Sequence, residues 1–572
     1  MNKLKPLPEE WSGLLNNEQK EAIENINGPL LIIAGAGSGK TRVLTYRYAH
    51  LIKTYGINFE NVLAITFTNK AANEMKDRIS DLLNLELSPK WISTFHSLCV
   101  KMLRIHGHLI GFNNNFTIYD QSDSTKLVRN CMRDSDIDTK QYSPKRIQAH
   151  ISSLKNQRIL PGEAVEFAQS FFDVKVAEIY SSYQKKLMLA NSMDFDDLLI
   201  KAVELLETSD KSLNYWSSKF QYIMIDEYQD TNMVQYRLVE LLASKHKNIC
   251  VVGDSDQSIY AFRGADIRNI EEFESDFKNA KVISLEKNYR SSQKILDIAN
   301  AVISNNPRKK DKKLWTDNDE GLDVNLVEFN SERDESRWIA EQINKLLEDK
   351  AFTEIAIFYR TNNQSRLFEE ELRKLSLSYK VVGNVRFYDR KEIKDILAYL
   401  NYLINPEDTV SFERILNVPK RGIGESTLQK LRDYANKNEI SLSKSIENLD
   451  EINNLSDRVK KQINNFKEII NDLKSFALQG PSETISKTLE LTGYKDELVK
   501  EGTLDSQMRL ENLDELLTSA FEFENLYEED IEDPFTVLRD YLESIALFTD
   551  SDDVDKEDRI LLMTLHNAKG LE

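Results

Sequence analysis

Cysteine is nearly absent. Only Cys99, Cys131 and Cys250 occur in 572 residues, far apart and without paired spacing, which argues against a disulfide framework, a zinc site or an iron–sulfur cluster. A reducing cytoplasm is the simplest setting for such a chain. Long apolar runs are also missing. The hydrophobic stretches are strand-length, and Met1 to Trp11 carries no apolar core of the export type, so neither a membrane span nor a leader is expected. Positive charge is in deficit as well, with 75 Lys and Arg against 94 Asp and Glu, a net of −19. That deficit is unevenly spread. Residues 521–560 hold fifteen acids and three bases, a local net of −12, which leaves −7 for the rest of the chain. A polyanion path lined by neutral and basic groups is therefore still allowed. The acidic block itself reads as a solvated helix face and loop.

The chain has 41% apolar and 30% charged residues, the composition of a globular enzyme, and its length implies roughly three or four domains. Leu30 to Ile33 is a continuous apolar run that opens into Ala34-Gly35-Ala36-Gly37-Ser38-Gly39-Lys40-Thr41. A strand, a small-residue loop and a helix from Thr41 to Leu51 make a phosphate-binding loop. The glycines let backbone N–H groups turn inward, Lys40 supplies a point charge, the Thr41 hydroxyl suits Mg²⁺, and the helix adds its positive end. The first position usually calls for glycine, and here it is Ala34.

Further apolar runs at Val62–Thr66, Trp91–Thr94, Tyr222–Ile225, Ile249–Val252 and Val282–Leu285 alternate with helical stretches. Continuous rather than alternating hydrophobicity predicts a parallel sheet covered on both faces, with ligands beyond the carboxyl ends of the strands. The strand signal disappears between about 117 and 205. It returns near Val324–Val327 and Ile355–Tyr359, gives way to helix from about 385 to 555, and reappears at Ile560–Thr564.

Two strand ends carry chemistry. Tyr222–Ile225 ends in Asp226-Glu227, which places Asp226 for the Mg²⁺ held by Thr41 and Glu227 for a proton from an attacking water. Ile249–Val252 leads to Gln257, suited to sensing a γ-phosphate, and then to Tyr260 and Phe262. These two rings read either as a core pair or as platforms for unpaired bases. The run Arg308–Lys313 reads as a solvated basic loop, with phosphate contact as its alternative.

Together these strings resemble the superfamily 1 helicases of the UvrD/PcrA/Rep type. The resemblance continues in order through Leu15–Gln19, Thr66–Ala72, Thr94–Ser97, Met193–Leu199, Asn288–Ser291, Tyr359–Arg366 and Thr564–Glu572. It implies an α/β fold with two RecA-like parallel-sheet P-loop cores, each interrupted by a helical insertion. The first core would cover residues 1–116 and 206–280, with its insertion at 117–205; the second would cover 281–384 and 556–572, with its insertion at 385–555.

The resemblance also implies an ATP-dependent 3′–5′ DNA helicase of repair or replication that uses Mg²⁺. Its partners would be single-stranded DNA, single-strand/duplex junctions and repair proteins, with no membrane. Gln19 would read the adenine edge and Tyr289 would stack on the base, while Arg290 would serve as an arginine finger and Glu572 would meet the ribose. Arg42 would join the loop residues in the ATP site. Phe67, His96, Phe195, Tyr260, Phe262, Asn362 and His566 would line the single strand. Lys420, Arg421, Gly422 and Gly424 would offer charge and backbone N–H groups to a phosphate. Phe262 stands where relatives often carry tryptophan, which implies less stacking area. A protein-displacing DNA-clearing factor and the motor of a helicase–nuclease remain open alternatives.

Relatives continue past this point with a further arginine for the γ-phosphate and a last stacking aromatic. This reading therefore expects the 572-residue chain to be a poor ATPase and a poor helicase that still binds nucleotide. A DNA-stimulated turnover equal to that of a chain extended by such a segment would contradict it.

Overall fold

The computed structural model describes residues 5–84, 89–306, 312–347, 351–382, 387–527, 533–547 and 559–570. The chain divides into two units. One comprises residues 1–99, 202–384 and 549–572, and the other residues 100–201 and 385–548. In chain order the strands are β1 (Leu30–Ala34), β2 (Val62–Thr66), β3 (Ile92–Thr94), β4 (Thr117–Tyr119), β5 (Ser192–Asp194), β6 (Tyr222–Ile225), β7 (Ile249–Gly253), β8 (Lys281–Leu285), β9 (Ala356–Tyr359), β10 (Tyr379–Val381) and β11 (Ile560–Thr564).

The first unit holds two parallel sheets. The larger has six strands in the order β3-β2-β6-β7-β1-β8. Its inner strands β2, β6 and β7 are buried throughout and β1 nearly so, as continuous apolar runs require when helices cover both faces. Helices Lys40–Lys53, Asn69–Leu83 and Met233–Ala243 follow β1, β2 and β6. Leu30 pairs with Cys250 on one side and Lys281 on the other, so β8 adds to the edge of this sheet beside β1. The second sheet has three parallel strands, β10-β11-β9, with Ile560 and Leu562 of β11 in a small core with Ile357, Tyr359, Phe368 and Leu372.

The strand expected near Val324–Val327 is not formed. The segment has no partner strand among the described residues, and Leu326 is fully exposed. β-propensity alone cannot hold an isolated strand without a ladder.

The second unit is helical. Helices Gln121–Asp134, Pro144–Asn156 and Phe171–Leu189 pack on one core. Helices Lys391–Ile404, Asp457–Phe476, Pro481–Leu491 and Leu504–Asn525 contribute to another. Contrary to the absence of strand signal between 117 and 205, the three-residue strands β4 and β5 pair there in parallel. Strands this short carry no readable periodicity. The acidic block is only partly solvated where it is described. Glu543 lies 3.7 Å from Arg104 and burial pushes its carboxyl up to about 7, while Asp533 meets Arg539 at 2.7 Å. Among the described residues no helix is long and apolar enough to cross a membrane.

One polar cluster lies inside this unit. Lys155, with no exposed side-chain surface, sits 2.7 Å from Asp194 and 2.8 Å from Asp197, and Tyr183 donates to Asp194 at 2.8 Å. Burial opposes the ammonium, but the two carboxylates outweigh it and raise its pKa. Lys155→Met would leave two buried acids uncompensated, so we expect a loss of about 3–5 kcal/mol, with Lys155→Arg less affected. Calorimetric melting of the variants tests this, and an unchanged transition would contradict it.

Candidate nucleotide and nucleic-acid site

The phosphate loop is built by the end of β1. Ala34 is still a strand residue, wholly buried and paired with Leu285, so the position where glycine is usual needs none here. The turn begins at Gly35, where an added Cβ would fall 2.1 Å from Leu314 Cδ2. Gly37 and Gly39 take positive φ, +66° and +86°, which L side chains resist. Ser38 is buried and closes the loop by donating from Oγ to the Gly35 carbonyl at 2.8 Å. Helix Lys40–Lys53 begins directly after Gly39 and turns its positive end on the loop. Ala36 accepts from Asn288 Nδ2 at 2.7 Å, and the Gly37 carbonyl accepts from the Tyr289 amide at 2.9 Å.

Lys40 Nζ lies 2.8 and 3.0 Å from the two carboxylate oxygens of Glu227 and 3.4 Å from Gln257 Oε1. Burial disfavours the ammonium, yet Glu227 and Asp226 outweigh it and raise the Lys40 pKa. Glu227 responds in kind. Burial pushes its carboxyl up, but Lys40 wins and holds it below the usual range. Its backbone is left-handed at φ +49°, a strained state for a non-glycine residue that aims the side chain at the loop. Asp226 extends the β2–β6 pairing through its amide, and burial followed by the Glu227 charge pushes its carboxyl up to about 7. Gln257 stands in the turn after β7 and donates to Asp254 Oδ2 at 2.8 Å.

Among the described residues no group of three or more His, Cys, Asp or Glu could hold a metal alone. Thr41 and Asp226 offer two oxygens, a donor set that suits Mg²⁺ arriving with phosphate oxygens and water. A divalent cation would relieve the crowding that raises Asp226.

On the facing side, Tyr289 is part-exposed and its hydroxyl accepts from Asn16 Nδ2 at 3.0 Å. Gln19 is buried; it accepts from the Asn16 amide at 3.1 Å and donates to the Ser38 carbonyl at 3.1 Å. The two residues expected at the base therefore stand on either side of Asn16. Arg290 is exposed, and its Cβ approaches Gly37 so closely that an added Cβ there would lie 2.9 Å away. Arg42 is exposed beside a cavity of about 430 Å³ shared with Arg78 and Asp81. Glu572 lies outside the described residues.

Four residues expected on the nucleic-acid path come together. Phe67 stacks on Tyr260 at 5.3 Å, Tyr260 lies 6.2 Å from Phe262, and Phe262 meets His566 edge-on at 5.2 Å. The two readings of the aromatic pair divide between its members. Tyr260 is buried and its hydroxyl donates to the His566 carbonyl at 3.0 Å, whereas Phe262 is 66% exposed. His96 opens helix Phe95–His106, and burial lowers its imidazole to about 4, leaving it neutral. Asn362 begins the short turn Asn362–Gln364 after β9 and accepts from Ser365 Oγ at 2.8 Å.

The remaining residues of this set lie in the second unit. Phe195 starts helix Phe195–Thr208 and lines a polar cavity of about 910 Å³. Arg421 is half-buried. Its guanidinium donates to the carbonyls of Ile415 and Val418 and to the Tyr399 hydroxyl, so much of its donor capacity is engaged within the turn. Asn417 Oδ1 accepts from the amides of Arg421 and Ile423, so the turn is held from inside. Gly422 and Gly424 have open space where a Cβ would stand, and Lys420 is exposed.

Lys312 departs from the solvated loop expected for Arg308–Lys313. It is 7% exposed, bonded to Asp254 and 3.2 Å from Asp256. Residues 307–311 lie outside the described residues. No signal in a run of lysines marks which one turns inward. Gln229 was also missed, although it donates to Glu227 at 2.6 Å and its Oε1 accepts from the Asp254 amide at 2.8 Å. Its place two residues after a catalytic-type carboxylate was the available clue.

Comparison with known proteins agrees with this arrangement. The UvrD/REP helicase N-terminal domain family matches residues 15–278, and the UvrD-like helicase C-terminal domain family matches residues 283–572. The chain is 45% identical over 560 residues to proteins named ATP-dependent DNA helicase PcrA from Staphylococcus aureus and Staphylococcus epidermidis. Each alignment covers 98% of this chain and 76% of the relative. A phosphate loop answered by Asp226-Glu227, a second parallel sheet completed by β11 and these matches across the chain place the protein in the UvrD/REP helicase family.

Proposed function

We propose that the protein is an ATP-dependent DNA helicase that moves 3′ to 5′ along single-stranded DNA and opens duplex at single-strand/duplex junctions during repair or replication. One observation carries this reading. Gln257, which accepts a hydrogen bond from the phosphate-loop Lys40, lies five residues before Phe262, the exposed ring of the aromatic cluster. A nucleotide-sensing side chain and a base platform thus share one short turn.

The chemistry follows from the ion pair. Lys40 and Glu227 neutralise each other. A triphosphate offers Lys40 a stronger anion, and Glu227 is then released with its burial intact. Freed from the ammonium, its carboxylate is open to take a proton from water. Mg²⁺, held by Thr41 and Asp226, would neutralise charge on the transferred phosphoryl group. Arg290 would add positive charge from the opposite side. Phe262 would stack on a base, and coupled movement of Gln257 would change that grip in each cycle. The 3′–5′ polarity and the repair or replication setting rest on family resemblance. The staphylococcal relatives' name supports DNA unwinding.

Glu227→Gln should keep nucleotide affinity and lower ATP turnover by roughly 10²–10⁴. Phe262→Ala should weaken oligo-dT binding by about 1–3 kcal/mol and leave nucleotide affinity unchanged. Strand-separation assays on duplexes with a 3′ or a 5′ tail test polarity, and opening confined to 5′-tailed duplex would contradict it. Displacement of a bound protein from single strands without strand separation would favour a DNA-clearing role instead.

A further inference from the structure

Lys569 reaches out of its own sheet. It follows the short helix Leu565–Ala568 at the end of β11, yet its ammonium lies 2.5 Å from Asp230 Oδ2 and 2.6 Å from the Gln257 carbonyl, both in the larger sheet's loops. It also stands 5.0 Å over the Tyr260 ring. The lysine side chain is 10% exposed and that of Asp230 is fully buried.

Asp230 connects directly to the catalytic-type carboxylate. Gln229 Nε2 donates to Glu227 Oε2 at 2.6 Å and to Asp230 Oδ2 at 3.2 Å. An unbroken path therefore runs from Lys40 through Glu227, Gln229 and Asp230 to Lys569. A second branch returns through the Gln257 backbone to the Gln257 side chain, which touches Lys40. At the far end, three residues before Lys569, the His566 carbonyl holds the Tyr260 hydroxyl and the His566 ring packs on Phe262.

The pair is poorly suited to be a plain staple. Asp230 Oδ1 is buried and has no hydrogen-bond partner among the described residues, so the carboxylate depends heavily on one ammonium. A buried ion pair adds little net stability when intact and is costly when one partner leaves. Such a contact has two distinct states, made and broken, which is what coupling between two sites requires.

We propose that Lys569 and Asp230 are positioning residues that transmit the state of the nucleotide at Glu227 to the base-facing segment around His566 and Phe262. The inference rests on the reading of that aromatic cluster as a DNA site. It assigns a coupling route that leaves the chemistry at Glu227 and the stacking at Phe262 in place.

The test is an equilibrium one. The affinity for a fluorescent non-hydrolysable ATP analogue is measured with and without saturating oligo-dT, and the ratio gives the linkage between the sites. The unaltered chain should show at least about a fivefold ratio. Lys569→Met and Asp230→Asn should bring the ratio close to one, while nucleotide affinity and oligo-dT affinity measured separately stay within about twofold, and Lys569→Arg should recover most of the linkage. A Lys569→Met chain that keeps the full ratio overturns the proposal. So does a variant that loses both affinities together and is not rescued by arginine. If the unaltered chain shows no linkage while Phe262→Ala still weakens oligo-dT binding, the coupling fails and the DNA site stands. If neither Phe262→Ala nor His566→Ala changes oligo-dT binding, the DNA-site reading fails and the coupling falls with it.

Discussion

The contact between Lys40 and Glu227 organises the first unit. A phosphate loop must hold a charged lysine in a nearly dry position, and a desolvated ammonium needs a counter-charge when no phosphate is there. Glu227 supplies it at 2.8 Å, from a strand separated from β1 by β7 in the sheet. Parallel strands bring both groups to the same edge, because the carboxyl ends of β1, β6 and β7 all open on one side. The strained backbone at Glu227 and the rise of the Asp226 carboxyl are local consequences of crowding two acids beside one lysine. A triphosphate with Mg²⁺ would meet both needs at once, giving the lysine an anion and the acids a cation.

The second sheet extends this arrangement. β11 comes from the end of the described chain and pairs between β9 and β10, some 200 and 180 positions away in sequence. Its insertion delivers His566 to the Phe67, Tyr260 and Phe262 cluster and Lys569 to Asp230. The aromatic platform is thus assembled from three distant parts of the sequence. The turn that follows β7 places Gln257 against Lys40 and leaves Phe262 on an open face.

Much of the nucleotide site was legible in the residues, because its chemistry is local. A strand, glycines at positive φ, Lys-Thr and an Asp-Glu strand end each announce themselves within a few positions, and Ala34 still belongs to the strand. What escaped was set by long-range packing. Tyr260 and Phe262 stand two apart, yet one is a buried wall and the other an open ring, a difference that depends on Phe67 and His566. Arg421 reads as a phosphate ligand beside two glycines but is held by carbonyls six residues or fewer away. Lys312 reads as solvated but meets Asp254 and Asp256, more than fifty positions upstream. The apolar run at Val324–Val327 has strand composition and no neighbour among the described residues to pair with. In each case the residue type was legible and its partner was not.

The most direct test of this account is a crystal structure of the chain with a non-hydrolysable ATP analogue and Mg²⁺, read at Lys40 Nζ. The account predicts that Lys40 leaves Glu227 for the phosphates, that Thr41 and Asp226 flank the metal, and that the Glu227 carboxylate is freed toward the γ-phosphate. A nucleotide bound while Lys40 remains 2.8 Å from Glu227, or bound away from the loop at Gly35–Thr41, would contradict it.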